Sequence, residues 1–183
     1  MNALAQVNEL TASAAGRSAA YRLLAQGFTY AGAQQAPFHI AGPAYNDAFD
    51  PSVCEAGASL REGLYTEADQ SSVFEELMRF YTFFGLARAD DAEMPDHLSV
   101  ELEFMHYLTH LESEPTLTDE ARDSLLRAQR DFLGRHLSRL VQGVANALHT
   151  EDEACRQLVA DCANFIEAEL AYVQNMTQSL LDD

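Results

Sequence analysis

The strongest constraint on the fold is a helical period that runs through two long stretches of the chain. Over residues 118–148 and 151–180, apolar side chains return every three or four positions. At about 100° per residue, Leu125, Phe132, Leu133, Leu137 and Leu140 share one face. Cys155, Leu158, Cys162, Ile166 and Val173 form a second such stripe. No strand-like alternation and no hairpin signal competes with this pattern. The expectation is an all-α fold, a compact helical bundle. A chain of 183 residues suits a single domain spanning 1–183, and 48% apolar residues is a globular composition.

Upstream, Tyr21, Leu24 and Phe28 at helical spacing predict a helix over about 11–30. Residues 31–51 hold Pro37, Pro43 and Pro51 with Gly32 and Gly42, and read as a long loop with at most a short helical turn. A weak helix is expected over 52–64. Ser72 and Glu75 have the spacing of a capping box ahead of Val73, Phe74, Leu77, Met78, Phe80, Tyr81, Phe83 and Phe84. Those apolar residues cover more than half the helix circumference, which predicts a central helix, with Gly85 as its stop. A further helix is expected over 95–112 with Pro95 in its first turn, and Thr118, Asp119 and Glu120 suit the start of the next.

Charge narrows the possible partners. There are 29 acidic and 11 basic residues, a formal charge of −18, and every basic residue is Arg. Such a surface repels phosphate, so nucleic acid is not an expected partner, while a basic peptide is compatible. No stretch is apolar enough to insert stably in a membrane, and residues 1–16 lack the basic start and apolar core of a secretory signal. The three cysteines (Cys54, Cys155 and Cys162) do not form a disulfide framework, so a reducing cytoplasm is the expected location.

Chemistry-bearing residues concentrate in Glu93-Met-Pro-Asp-His-Leu-Ser-Val-Glu-Leu-Glu-Phe-Met105. Placed on a helical wheel, His97 and Glu101 fall together within the apolar face, while Glu103, His106 and His110 fall opposite. A buried carboxylate needs a partner, and His97 is the nearest candidate for Glu101. Gln129 and His136 lie similarly within the apolar face of the 118–148 helix. Its Arg122, Arg127, Arg130, Arg135 and Arg139 read as a solvated, salt-bridged face. His136 is expected to pack near the 95–112 helix.

Enzyme templates fail. Glu103-Phe-Met-His106 has the Glu-x-x-His spacing of a di-iron bundle, but those sites need two such motifs and two further Glu residues. No nucleophile elbow and no phosphate loop is present. The residues therefore call for no metal and no cofactor, and favour a helical binding module over an enzyme.

Glu93, Pro95, Asp96, His97, Glu101, Leu102 and Met105 together resemble the signature of the TorD/DmsD/NarJ family of molybdoenzyme maturation chaperones. Tyr81 with Gly85 and Leu86 is similar to that family's aromatic-x-x-x-Gly-Leu element. Gln129–Arg139, including His136, is similar to its Phe-Leu-x-x-His-Leu region. The chain departs from the pattern at Leu140, where an aromatic often stands, and at Val141-Gln-Gly143, where a proline turn is usual.

The resemblance implies a cytoplasmic, system-specific chaperone. It would bind the apo catalytic subunit of a molybdopterin oxidoreductase, including its twin-arginine signal peptide, until cofactor insertion and export. The subgroup serving periplasmic enzymes of the dimethyl-sulfoxide-reductase superfamily is the nearest. A monomer or a homodimer is compatible. Competing readings are an assembly factor that binds the client body without a signal peptide, and a helical metal-dependent enzyme.

An arginine-bearing peptide with an apolar stretch needs an apolar groove and carboxylates at its rim. Ten acidic residues and no basic one lie in 90–120. Glu93 and Asp96 are the expected contacts, with His97 and Glu101 shaping the groove and Tyr81, Leu86 and Met105 as apolar walls. Gly85, Pro95 and His136 complete the expected binding set.

Overall fold

The computed structural model describes residues 13–89 and 92–182. Its helices are α1 (Ala14–Gly27), α2 (Tyr30–Ala33), α3 (Gly42–Phe49), α4 (Gln70–Phe83), α5 (Leu98–Glu112), α6 (Asp119–Phe132), α7 (Ser138–Ala147) and α8 (Glu153–Asp182). A 3-10 turn spans Glu62–Leu64. Among the described residues there is no strand, only an isolated antiparallel bridge between Arg61 and His97. The all-α bundle is the observed fold. Asp90, Asp91 and most of the segment read for a secretory signal lie outside the described residues.

The most extensive helix pair is α1 against α5, and α8 packs on α6, α7 and the turn between them. Gly16, Ala20 and Ala25 are buried on α1, and small side chains let two backbones approach closely. The same interface takes in His106, which the wheel placed toward solvent. Its Nδ1 lies 2.8 Å from the Ser18 Oγ. Residue α8 Cys155, Leu158, Cys162, Ile166 and Val173 are all buried, as their spacing implied. Both thiols are free, and burial raises them, Cys155 to about 12.

The span read as one helix over 118–148 is interrupted. Thr118 caps α6 as expected, accepting from the Ala121 amide, and Asp119 and Glu120 occupy the first turn. At Leu133–Leu137 the helix then widens into a π turn before α7 begins. The wider turn keeps Phe132, Leu133, His136, Leu137 and Leu140 all buried on one side.

Four local expectations change. The 31–51 loop contains the eight-residue α3, started by Pro43, whose fixed φ and missing N–H suit a first turn. The 52–64 segment is turns and extended chain, held by tertiary hydrogen bonds such as Ala58 N to Ala48 O at 2.8 Å, with only the 3-10 turn at its end. The α4 start lies a turn earlier than the capping box: Asp69 accepts from the Ser72 amide at 3.1 Å and from its hydroxyl at 2.6 Å. Pro95 precedes α5 rather than opening it, because His97 is the N-cap.

A fifth change matters most for function. Helix α4 is not central. Only Val73, Leu77 and Tyr81 are buried on it, while Phe74, Met78, Phe80 and Phe84 are half-buried and Phe83 is 83% exposed. Its inner stripe meets an aromatic cluster: Phe104 lies 4.7 Å from Phe132 and 4.9 Å from Tyr81, edge to face. Each such pair contributes about 0.5–1.5 kcal/mol beyond its buried area. The rest of the α4 apolar surface is left facing two grooves.

Candidate functional site

The end of α4 builds one wall of the site. Gly85 takes φ 76°, and the Gly85 amide donates to Thr82 O at 3.0 Å while the Leu86 amide donates to Tyr81 O at 2.9 Å. This is a Schellman stop, which needs a residue that tolerates left-handed backbone. The aromatic-x-x-x-Gly-Leu spacing thus has a physical meaning: it places Tyr81 and Leu86 side by side at the helix terminus.

Between that terminus and α5 lies a groove of about 600 Å³. Tyr81, Leu86, Pro95, Val100, Phe104 and Tyr107 supply apolar lining, and the carboxylates Glu93 and Glu103 lie along it. Both Glu residues are exposed. The Glu93 carboxylate accepts only from its neighbour's amide, Met94 N at 2.9 Å, among the described residues. Among the described residues neither has an ion-pair partner. Arg88 lines the same groove, but its guanidinium is turned onto the carbonyls of Ala92 (2.7 Å) and Glu93 (3.3 Å).

The signature segment forms the floor and the support beneath it. The Tyr81 hydroxyl donates to Pro95 O at 2.8 Å, tying the groove wall to the loop. Asp96 is fully buried and accepts from Arg61 Nε at 2.5 Å, while its carbonyl accepts from the Glu62 amide at 2.9 Å. Leu98 N donates to Leu60 O at 2.9 Å. Asp96 therefore stands inside, anchoring the 58–64 segment, and not at the rim beside Glu93.

His97 caps α5, its Nδ1 accepting from the Ser99 amide at 3.2 Å. Burial lowers its pKa, and the nearby Arg61 adds to this against the opposing pull of Glu93 and Asp96. His97 does not pair with Glu101. As an N-cap it has extended backbone (φ −82°, ψ 137°), so a wheel drawn through it misplaces its side chain.

Glu101 is 0% exposed and neither carboxyl oxygen makes a hydrogen bond. Burial first, then the carboxylates of Glu62 and Asp96, push its pKa well above the usual range. Glu62 next to it behaves oppositely. Burial works against its charge, but hydrogen bonds from His136 (3.0 Å) and Arg139 (2.6 Å) outweigh that and lower its pKa. His136 is thus held inside the fold by Glu62, with its ring 5.4 Å from that of Phe132, which touches Phe104 of α5. Met105 is also fully buried and does not line the groove.

Of the expected set, Tyr81, Leu86, Glu93 and Pro95 meet at the groove, and Gly85 shapes its edge. Asp96, His97, Glu101, Met105 and His136 form the support under it. Sequence reasoning placed Glu103 toward solvent, where it is, but left it out of the binding set although it lies along the groove. It also missed Arg17, which is 1% exposed and bound to Glu169 (2.9 Å), Glu112 (3.0 Å) and Gln129 at the meeting point of α1, α5, α6 and α8. The signal was present, since Arg17, Tyr21 and Phe28 share one stripe at helical spacing.

Comparison with known proteins places the chain among relatives. The family model described as "Nitrate reductase delta subunit" matches residues 11–146. The selenate reductase assembly chaperone protein of Thauera selenatis is 34% identical over 126 residues, 68% of this chain and 65% of that one. The perchlorate reductase assembly chaperone protein of Dechloromonas aromatica (strain RCB) is 38% identical over 92 residues, 49% and 41% of the two chains. The dimethyl sulfide dehydrogenase assembly chaperone protein of Rhodovulum sulfidophilum is 34% identical over 105 residues, 52% and 42%. The matched region spans less than two thirds of each of these relatives. With the family model covering residues 11–146, most of the chain, the chain belongs to the nitrate reductase delta subunit family, the TorD/DmsD/NarJ family.

Proposed function

We propose that the chain is a system-specific maturation chaperone that binds the apo catalytic subunit of a molybdopterin oxidoreductase and acts by binding rather than by catalysis. The observation that carries this reading is family membership, with relatives named as assembly chaperones of reductases and a dehydrogenase. The groove between α4 and α5 supplies a physical means. Its aromatic and aliphatic lining suits an apolar peptide stretch, and Glu93 and Glu103 suit guanidinium groups, which pair best with carboxylates in forked geometry. A twin-arginine signal peptide has both features. Glu93, Tyr81, Leu86 and Pro95 are its proposed contacts, with the Asp96, His97, Glu101, Met105 and His136 layer holding the groove in shape. Among the described residues no helix is long and apolar enough to cross a membrane, and no cluster of His, Cys, Asp or Glu is arranged to hold a metal ion. The host cytoplasm is the proposed site of action.

Affinity purification of the tagged chain from its native host, followed by identification of the bound protein, tests the proposal. A molybdopterin-enzyme catalytic subunit recovered in stoichiometric amount is the expected result. Recovery of no such subunit while the enzyme is being synthesised would overturn it.

A further inference from the structure

The exposed ring of Phe83 has no role in the groove just described. It belongs to a second groove, of about 640 Å³, between α4 and α6, where Phe80, Phe83, Phe84 and Ala128 are the apolar lining. The two grooves flank the same helix terminus. Phe84 lies 5.1 Å from Phe83 and 5.8 Å from Phe104, a wall of the first groove, all edge to face. The Tyr107 hydroxyl, also in the first groove, reaches the Phe84 carbonyl at 3.4 Å. The aromatic surface is therefore continuous from Tyr107 and Phe104 across Phe84 to Phe83.

Charge differs along this strip. In the second groove every lining carboxylate is matched: Glu75 with Arg79 at 3.6 Å, Asp131 with Arg130 at 2.7 Å, and Glu76 with Arg135. In the first, Glu93 and Glu103 have no such partner among the described residues, and the one cation that lines it, Arg88, is held on the backbone carbonyls of Ala92 and Glu93. The unpaired carboxylates thus lie at one end and the 83% exposed ring of Phe83 at the other. An occupant complementary to both ends has cationic residues first and an apolar stretch after them, and its cationic end seats at Glu93 and Glu103.

We infer that the α4–α6 groove is the second half of a single peptide-docking strip, and that Phe83 receives the apolar stretch of the arginine-bearing client peptide. This rests on the function proposed above and adds to it an orientation and a residue that selects the apolar segment. A large exposed aromatic ring is the kind of side chain that gains most from burial against a partner.

Two peptides and one surface variant test the inference by calorimetric titration. One peptide carries the Arg pair and the apolar stretch, and the other carries the Arg pair alone. Phe83→Ser is chosen because the ring is exposed and supports no core contact, and circular dichroism checks its fold. The expected result is a loss of about tenfold in affinity for the long peptide, with affinity for the short one unchanged. Unchanged affinity for the long peptide, while the wild type binds it, would overturn the strip and leave the proposed function intact. Failure of the wild type to bind either peptide would overturn the strip together with the signal-peptide contacts proposed above, while binding of the catalytic subunit itself is decided by the purification. Sedimentation of both proteins covers the other possible occupant: a wild-type dimer that Phe83→Ser makes monomeric, with peptide binding unchanged, would assign the surface to a second copy of the chain and overturn the inference.

Discussion

Glu101 and Glu62 are neighbouring buried carboxyls with opposite titration behaviour, and the pair sets a pH dependence that can be measured. Glu101 holds its proton above the ordinary carboxylate value. Its folded state therefore binds a proton that the unfolded chain releases near pH 4.3, so this stabilisation is complete below that value and is lost as pH rises through the folded-state pKa. For Glu62 the folded pKa is lowered, so its contribution is present above the ordinary value and is lost as pH falls through the folded one. Glu101→Gln keeps the shape, removes the titration and supplies an N–H donor toward Glu62. Denaturant unfolding from pH 5 to 8 is expected to show a flatter profile for the variant and a gain of about 1–3 kcal/mol at pH 8. An unchanged slope would contradict the assignment. That Glu101 is buried was legible from its place on the apolar face. Its neighbours were not, because Glu62 lies 39 positions upstream in a segment with no helical period, and only the folded chain brings the two together.

At the scale of elements, the ion-pair knot at Arg17 decides how α1, α5, α6 and α8 meet. Two carboxylates and an amide converge on one guanidinium, and Glu169 is pushed up by burial while Arg17 pulls it back. Removing one member of a buried pair strands the others, at a cost of about 3–5 kcal/mol. Arg17→Met is therefore expected to lower unfolding stability by that amount in urea, and Arg17→Met with Glu112→Leu, Glu169→Leu and Gln129→Leu is expected to recover most of it. A single variant as stable as the wild type would contradict the account.

The π turn between α6 and α7 positions His136 under Glu62, and Tyr65, three residues after Glu62, packs further along on α7. Tyr65 packs against Gly143 of α7 so closely that a Cβ there would fall 2.7 Å from its own Cβ. Gly143 thus stands in a helix interior because the 58–65 segment lies against it. Long periodic helices such as α8 could be read from spacing because burial repeats with the helix turn. The π turn and α3 could not, since the first adds one residue without breaking the apolar stripe and the second begins at a proline in a segment rich in loop formers.

The whole molecule carries a charge of −18, yet that charge is not spread evenly. Of the ten acids in 90–120, Asp96, Glu101 and Glu112 are buried and serve the fold, while Glu93 and Glu103 remain free along the groove. Binding of an arginine-bearing peptide should therefore weaken as salt is raised, through screening of those exposed charges. The apolar contribution from the α4 face should persist in high salt. The most direct test of the account is calorimetric titration of the purified chain with the Arg-pair peptide of its client and with the same peptide carrying Gln at both Arg positions. The account predicts that the Arg peptide binds and that the Gln peptide loses at least about tenfold in affinity, the size of one charge-assisted contact. Equal affinity for the two peptides would contradict it.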